Sequence, residues 1–255
     1  MNKVLFFLIR QIYKVVFVWP FQLVVLVLSW FHPAAPLKDR EPSSFCFIIT
    51  SVIYPKQGKI EYNDQRSLFS PEERARQTLQ TIESIRAKVP NVKIILVESG
   101  LRRELPFELD KKADQYIYVG GKKLVRWACD SRYKSLGEIM MLLAAADRLS
   151  GIADFYFKIS GRYYLDEEFD INNWKRGLFV LQYIQKDYVC TRLYGFRVEA
   201  FNTWKYALLK GLPLALISYA VENILAKYIP RKQARQLARL GLTGIGGSNK
   251  VVAKD

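Results

Sequence analysis

What most constrains this chain is the segment 154–169. There a run of aromatic and β-branched residues (Phe155, Tyr156, Phe157, Ile159) stops at Ser160-Gly161-Arg162 and gives way to Asp166-Glu167-Glu168. A run this apolar suits a strand buried on both faces, the signature of a parallel sheet between helical layers. Gly161 lets the backbone turn tightly or approach a ligand closely, and Arg162 sets a permanent, forked cation at the strand's end. Open α/β sheets bind ligands outside the carboxyl ends of their strands. The segment therefore reads either as a binding edge or as an ordinary polar turn with Arg162 paired to the acidic cluster.

The rest of the chain fits an α/β architecture. Residues 45–53 form a β-rich apolar run, and 54–69 are polar and glycine-containing, as a loop over a sheet edge would be. Ser70-Pro71-Glu72-Glu73 opens a helix, with serine as N-cap, proline at the first position and carboxylates at the positive end of the dipole. That helix is expected to run to about Val89, with Leu79, Ile82 and Ile85 on one face. A second strand at 92–97 completes a right-handed parallel βαβ unit, so Glu98 and Ser99 share an edge with Ser51 and Arg162. A short strand at 115–119 leads to Gly120-Gly121-Lys122-Lys123, a basic turn without Walker spacing. Residues 132–138 then lead into a helix at 139–149. Lys134 and Ser135 lie at its N-terminus, where free backbone N–H groups can meet an anion or simply face water. Strands at 177–183 and 189–196 form an expected antiparallel pair, followed by helices at 199–209 and 214–229. Glu222 sits in the second of these, either buried with a raised pKa suited to a general base or on its wet side. Residues 231–239 are expected to be a basic helix, and 241–249 a glycine-rich tail that could close over phosphates.

Two hundred and fifty-five residues can bury a core, and a half-hydrophobic, quarter-charged composition excludes a disordered chain. The net charge of +15 calls for an anionic partner. Its cations are spread out, with no basic, aromatic-studded face, which argues against nucleic acid. Cys46, Cys129 and Cys190 have no metal-ligand spacing and read as free thiols of a reducing compartment. The single histidine, His32, lies beside the N-terminal apolar run, so a Ser/His or Cys/His catalytic pair in the globular part is excluded.

Residues 4–31 are mostly apolar, with Arg10 and Lys14 inside the run and Pro20 near its middle. Its length approaches that of a bilayer span, and Trp19, Trp30 and Phe31 suit a headgroup zone. Three readings stay open: a single span, a helix broken at Pro20 that enters and leaves on one face, and a buried core helix. The division of the chain is then a membrane anchor at 1–32, a proline-rich linker at 33–42 and a globular domain at 43–255.

The phrase Lys158-Ile-Ser-Gly-Arg-Tyr-Tyr-Leu165 resembles the segment of GT-A-type glycosyltransferases in which an apolar strand runs into an Asp-x-Asp motif. It is similar to a phrase of surface-polysaccharide glycosyltransferases, and the resemblance spans roughly residues 45–250. In that family the carboxylates hold a divalent metal and, through it, the diphosphate of a sugar nucleotide. Here Ser160-Gly161-Arg162 stands in their place. The resemblance implies a GT-A-like, Rossmann-like fold and a donor site of Ser51, Glu98, Ser99, Lys134, Ser135, Lys158, Ser160, Gly161 and Arg162. Ser51 and Glu98 would meet base or ribose, Arg162 the diphosphate in place of a metal, and Glu222 the acceptor hydroxyl. Asp166 enters as a further catalytic candidate. If Mn²⁺ or Mg²⁺ is used, its ligands would be Asp166 and Glu168.

The function so implied is sugar transfer from a nucleotide-sugar to a glycan or lipid-linked acceptor at a membrane. The cytoplasmic face of a bacterial inner membrane is favoured over a Golgi setting, because sugar nucleotides would then be met on the side of synthesis. Two alternatives stand beside it: a nucleotidyltransferase using the carboxylates of 166–170, and a basic membrane-surface protein without catalysis.

Overall fold

The computed structural model describes residues 3–31, 41–61, 63–246 and 252–254. Most of the expected linker lies outside the described residues, as does residue 32. The chain opens with α1 (Lys3–Tyr13), a π-helical stretch at Lys14–Val18 and α2 (Trp19–Trp30), which together form one unbroken helix. Pro20 therefore does not break it. A proline cannot donate to the preceding turn, and the wider π winding ahead of it absorbs that misfit.

The domain then runs β1 (Phe45–Ser51), α3 (Pro71–Lys88), β2 (Lys93–Glu98), α4 (Leu109–Lys112), β3 (Gln115–Tyr118), α5 (Lys123–Asp130), α6 (Lys134–Leu149), β4 (Phe155–Ser160) and β5 (Tyr163–Leu165). Beyond these come β6 (Phe179–Leu181), β7 (Tyr183–Gln185), β8 (Tyr188–Val189), β9 (Leu193–Arg197), α7 (Phe201–Ala215), α8 (Val221–Tyr228), β10 (Ala234–Gln236), β11 (Leu242–Ile245) and β12 (Val252–Lys254).

A seven-stranded sheet in the order β10-β6-β9-β4-β1-β2-β3 forms the core. Only β9 runs against the others, so the sheet is mixed and mainly parallel, as expected. One face packs on α3, through Ile82 and Ile85 against Phe47, Ile49 and Phe157. The other packs on α5, α6, α7 and α8, through Ile139, Leu142 and Trp204 against Ile48, Tyr156 and Phe196. The N-terminus of α3 is as its residues dictate. Ser70 accepts from the Glu73 N–H at 3.2 Å and the Glu73 carboxylate accepts from the Ser70 N–H at 2.7 Å, closing a capping box.

The C-terminal third departs from expectation in four places. The expected pair 177–183 and 189–196 forms as β6 and β9, with the small β7–β8 hairpin inserted between them. Helix α7 runs through Pro213 to Ala215, so the expected helix at 214–229 is only α8. Of residues 231–239 only Arg231–Gln233 make a single 3-10 turn; Ala234–Gln236 pairs with Phe179–Leu181 as the sheet's edge. Of the expected tail, Leu242–Gly244 is not free but pairs antiparallel with Tyr163–Leu165, and residues 247–249 lie outside the described residues.

Candidate functional site

Chain order decides where a ligand fits. From β1 the sheet grows through β2 and β3 to one side, and the chain then returns to lay β4 on the other side of β1. The switch point lies between β1 and β4, and a crevice at its carboxyl edge is the general ligand position of such sheets. A cavity of about 130 Å³, open to solvent, sits there. Its floor is the strand ends themselves: Thr50 and Ser51 from β1, Ser99 after β2, and Ser160, Gly161 and Arg162 after β4. Helix α3 contributes Arg74 and Thr78, α5 contributes Arg126, and the first turns of α6 contribute Lys134, Gly137, Glu138 and Met141. The loop after β1 roofs it with Val52, Ile53, Pro55, Ile60 and Arg66.

Five cations thus face this cavity against one carboxylate, Glu138. Three of the cations are held by the protein. Arg66 donates to the carbonyls of Cys129 (2.6 Å), Asp130 (3.0 Å) and Ser131 at the end of α5. Arg126 donates to the Ser99 carbonyl at 2.7 Å and pairs with Asp130. Arg74 donates to the Val52 carbonyl at 2.6 Å and the Ser67 hydroxyl at 2.9 Å. Arg162 and Lys134 differ, since neither makes a side-chain hydrogen bond or ion pair among the described residues. The cost is visible in the titration of their neighbours. Burial, then the Arg162 guanidinium, pulls the Arg74 pKa down to about 9. Desolvation against the cavity wall, then Arg162, lowers that of Lys134. Like charges crowd one small space, and an anion there would relieve them.

Gly161 is where the backbone must be bare. A Cβ on it would meet the Thr78 hydroxyl at 2.9 Å, Ile49 at 3.3 Å and the Thr50 carbonyl at 3.4 Å. Its N–H donates to Thr50 at 2.9 Å and its carbonyl accepts from the Thr78 hydroxyl at 2.9 Å. This fixes the turn from which Arg162 projects.

No protein-family model matches this chain, and neither does any curated protein. Among solved structures, the galactosyltransferase LgtC in complex with donor and acceptor sugar analogues overlays 75% of this chain and 72% of its own, with a TM-score of 0.47 and 7% identity. An active-site mutant of LgtC overlays 72% and 70%, with a TM-score of 0.45 and 10% identity. Overlap at this level assigns no activity here.

Of the residues singled out from sequence, Ser51, Ser99, Lys134, Ser160, Gly161 and Arg162 meet on the cavity wall. Lys158 does not. It is fully buried below the floor, where its ammonium pairs with Glu138 and donates to Ser160 (3.1 Å) and the Thr191 carbonyl (3.0 Å). All three of its N–H groups are used, so it supports the floor and does not reach a donor. Glu98 is likewise inside the protein. It accepts from Ser51, from the Ile53 N–H at 3.0 Å and from the Gly100 N–H at 2.5 Å, with no face left for a ribose. Burial raises its pKa in spite of those bonds. The Ser135 hydroxyl accepts the Val221 N–H at 3.0 Å and so joins α6 to the start of α8.

Glu222 stands beside the cavity. It accepts from Thr191 at 2.8 Å and lies within electrostatic reach of Lys134. Asp166 and Glu168 lie off the cavity, bonded to Thr243 (2.7 Å) and Arg239 (2.6 Å). Among the described residues no three of His, Cys, Asp and Glu are grouped to hold a metal ion. A cation-rich wall is also the wrong donor set for a divalent metal, which wants oxygen ligands.

Glu138, Arg74 and Thr78 were missed from sequence. Glu138 is held below the usual carboxylate range: burial alone would raise it, but Lys158, Lys134 and Arg162 together outweigh burial. Arg74 did carry a signal, since a cation in a helix's first turn opposes the dipole.

Proposed function

We propose that this protein transfers a glycosyl group from a nucleoside-diphosphate sugar to a hydroxyl of a glycan or lipid-linked acceptor, with protein cations in place of a metal at the diphosphate. One observation carries the reading: Arg162 and Lys134 project into the cavity at the sheet's switch point with no side-chain partner among the described residues. A cavity this size admits a group about as large as a benzene ring, which suits the diphosphate and leaves nucleoside and sugar at the open mouth. In the reaction the acceptor oxygen bonds to the anomeric carbon as that carbon's bond to the phosphate oxygen breaks. The electron pair stays on the departing nucleoside diphosphate. Preorganised cations at that oxygen stabilise charge that grows in the transition state, and the forked Arg162 guanidinium suits two phosphate oxygens at once. Glu222 is the carboxylate we assign to take the acceptor proton.

The test is a thermal-shift panel of UDP-, GDP- and CMP-sugars, each with EDTA or with Mn²⁺. A ligand that binds only the folded state raises the melting temperature. One nucleotide class should stabilise the protein equally in both conditions, and Glu222→Gln should abolish transfer while keeping that shift. No shift with any sugar nucleotide, or one that requires Mn²⁺, contradicts the reading.

A further inference from the structure

The N-terminal helix is amphipathic the wrong way round for a water-soluble domain. The side turned to the protein carries Arg10, Lys14, Gln22 and Ser29, interleaved with the buried Val18 and Val25. The side turned outward carries Ile12, Val16, Trp19, Leu23 and Trp30, with Trp19 62% and Trp30 71% exposed. Polar groups face in and a continuous apolar and aromatic stripe faces out, an arrangement that fits a lipid surrounding.

The helix is also tied down along its length. Arg10 donates to the Ile217 carbonyl, and its guanidinium stands 5.3 Å over the Tyr219 ring. Gln22 donates to the Lys210 carbonyl at 3.2 Å and the Tyr228 hydroxyl at 2.5 Å. The Tyr206 hydroxyl donates to the Leu28 carbonyl at 3.3 Å. The partners descend in sequence as the helix ascends, so the helix lies antiparallel along α7. From Arg10 to Leu28 the ties span about 27 Å at 1.5 Å per residue, nearly a whole hydrocarbon core of about 30 Å. A helix so fastened could cross a bilayer only by dragging α7 and the neighbouring end of α6, with the exposed Asp147 and Arg148, into the hydrocarbon.

We propose that this helix lies in the plane of an anionic bilayer surface, its Trp19 and Trp30 stripe seated among the headgroups and upper acyl chains, and stays docked on α7 without crossing. The occupant of the apolar face is lipid by charge complementarity: Lys210 and Lys227 stand on the elements that border the helix, and neither has an ion pair among the described residues. The inference is independent of the chemistry at the cavity. It places that chemistry at a membrane surface, because Tyr13 of the helix packs beside Tyr133, the residue before Lys134.

Trp19 and Trp30 give a direct test. They are eleven residues apart, so they share a helix face but stand about 16 Å apart along the axis. The full-length protein is bound to phosphatidylcholine–phosphatidylglycerol vesicles whose acyl chains carry bromine at shallow or deep positions, and the two indoles are isolated by difference against Trp19→Phe and Trp30→Phe. Both should be quenched equally, and best by shallow bromines, with binding weakened by salt. A depth gap near the full spacing would mean a crossing helix and overturn the proposal. So would the absence of quenching, including the case where a dimer in solution shields both indoles. In a second arm Leu28→Cys and Tyr206→Cys, at the Tyr206–Leu28 tie, are joined by a short bis-maleimide; Cys46, Cys129 and Cys190 are buried and do not compete. Vesicle binding should persist after cross-linking. Its loss would show that the helix must leave α7 to reach lipid.

Discussion

Replacing Arg162 by alanine should cost affinity while leaving stability nearly unchanged. A cavity of 130 Å³ is about 6 Å across if treated as a sphere, so charged heads on facing walls stand ~8 Å apart. At an effective dielectric constant of ~20, each such pair of cations repels by ~2 kcal/mol, and water at the mouth roughly halves that. Arg162 has two such repulsive neighbours, Arg74 and Lys134, and one attractive one, Glu138. Its removal therefore relieves ~1 kcal/mol net, which ~1 kcal/mol of lost packing of its stem cancels. The ligand-free Arg162→Ala protein should melt within about 2 °C of wild type. Losing a charge-assisted, two-pronged phosphate contact costs ~3 kcal/mol, so affinity for the nucleoside diphosphate should fall ~100-fold. Arg162→Lys keeps the charge but not the fork and should recover about tenfold of that loss. Melting curves with and without ligand, paired with titration calorimetry, read both quantities on one preparation. A variant that melts several degrees lower and binds as well as wild type would show that Arg162 is a structural residue, and the reasoning would fail.

Other expectations follow from the same geometry. Because the Arg74 pKa is pulled down to about 9 and that of Lys134 is lowered by desolvation and Arg162, anion binding should weaken as pH rises through the alkaline range, approaching tenfold per pH unit for each proton required. Stability of the ligand-free protein should move the other way: a depressed cationic pKa costs stability below it, and that cost vanishes as pH rises. Lys158→Met removes the ion-pair partner of Glu138, but Lys134 and Arg162 stay beside that partly exposed carboxylate, so the cost in denaturant unfolding should be about 1–3 kcal/mol, most of it regained in Lys158→Met/Glu138→Leu. Gly161→Ala, crowding Thr78, Ile49 and Thr50, should cost about 1–3 kcal/mol and lower kcat/KM more than Thr78→Ser does.

The parts legible in sequence were those fixed by near neighbours. Ser70, Pro71 and Glu73 announce α3 because capping is a three-residue affair, and the apolar runs at 45–53, 92–97 and 155–159 form strands wherever a two-faced sheet is available. Residues 231–239 look helical because Ala, Gln, Leu and Arg favour helix, but the open edge of β6 offers backbone partners that propensity cannot match. Pro213 reads as a stop, yet α7 passes it, held against α8 where Gly211 lets Ile224 come close. In the site, Arg162 was legible because it interrupts its own strand. Lys158 was misread because its partner Glu138 lies twenty residues back on another element, a contact no local pattern encodes. Arg74 was marked only by its unfavourable place near the start of α3, and only the tertiary approach of β4 sets it beside Arg162.

Glu98 has a consequence for how the cavity can change. One carboxylate fastens both rim segments, Ser51 and Ile53 on one side and Gly100 on the other. The two lips are yoked, so a ligand that pulls one inward must carry the other along. Re-engineering either lip for a different ligand should then succeed only if both are rebuilt together around that common latch.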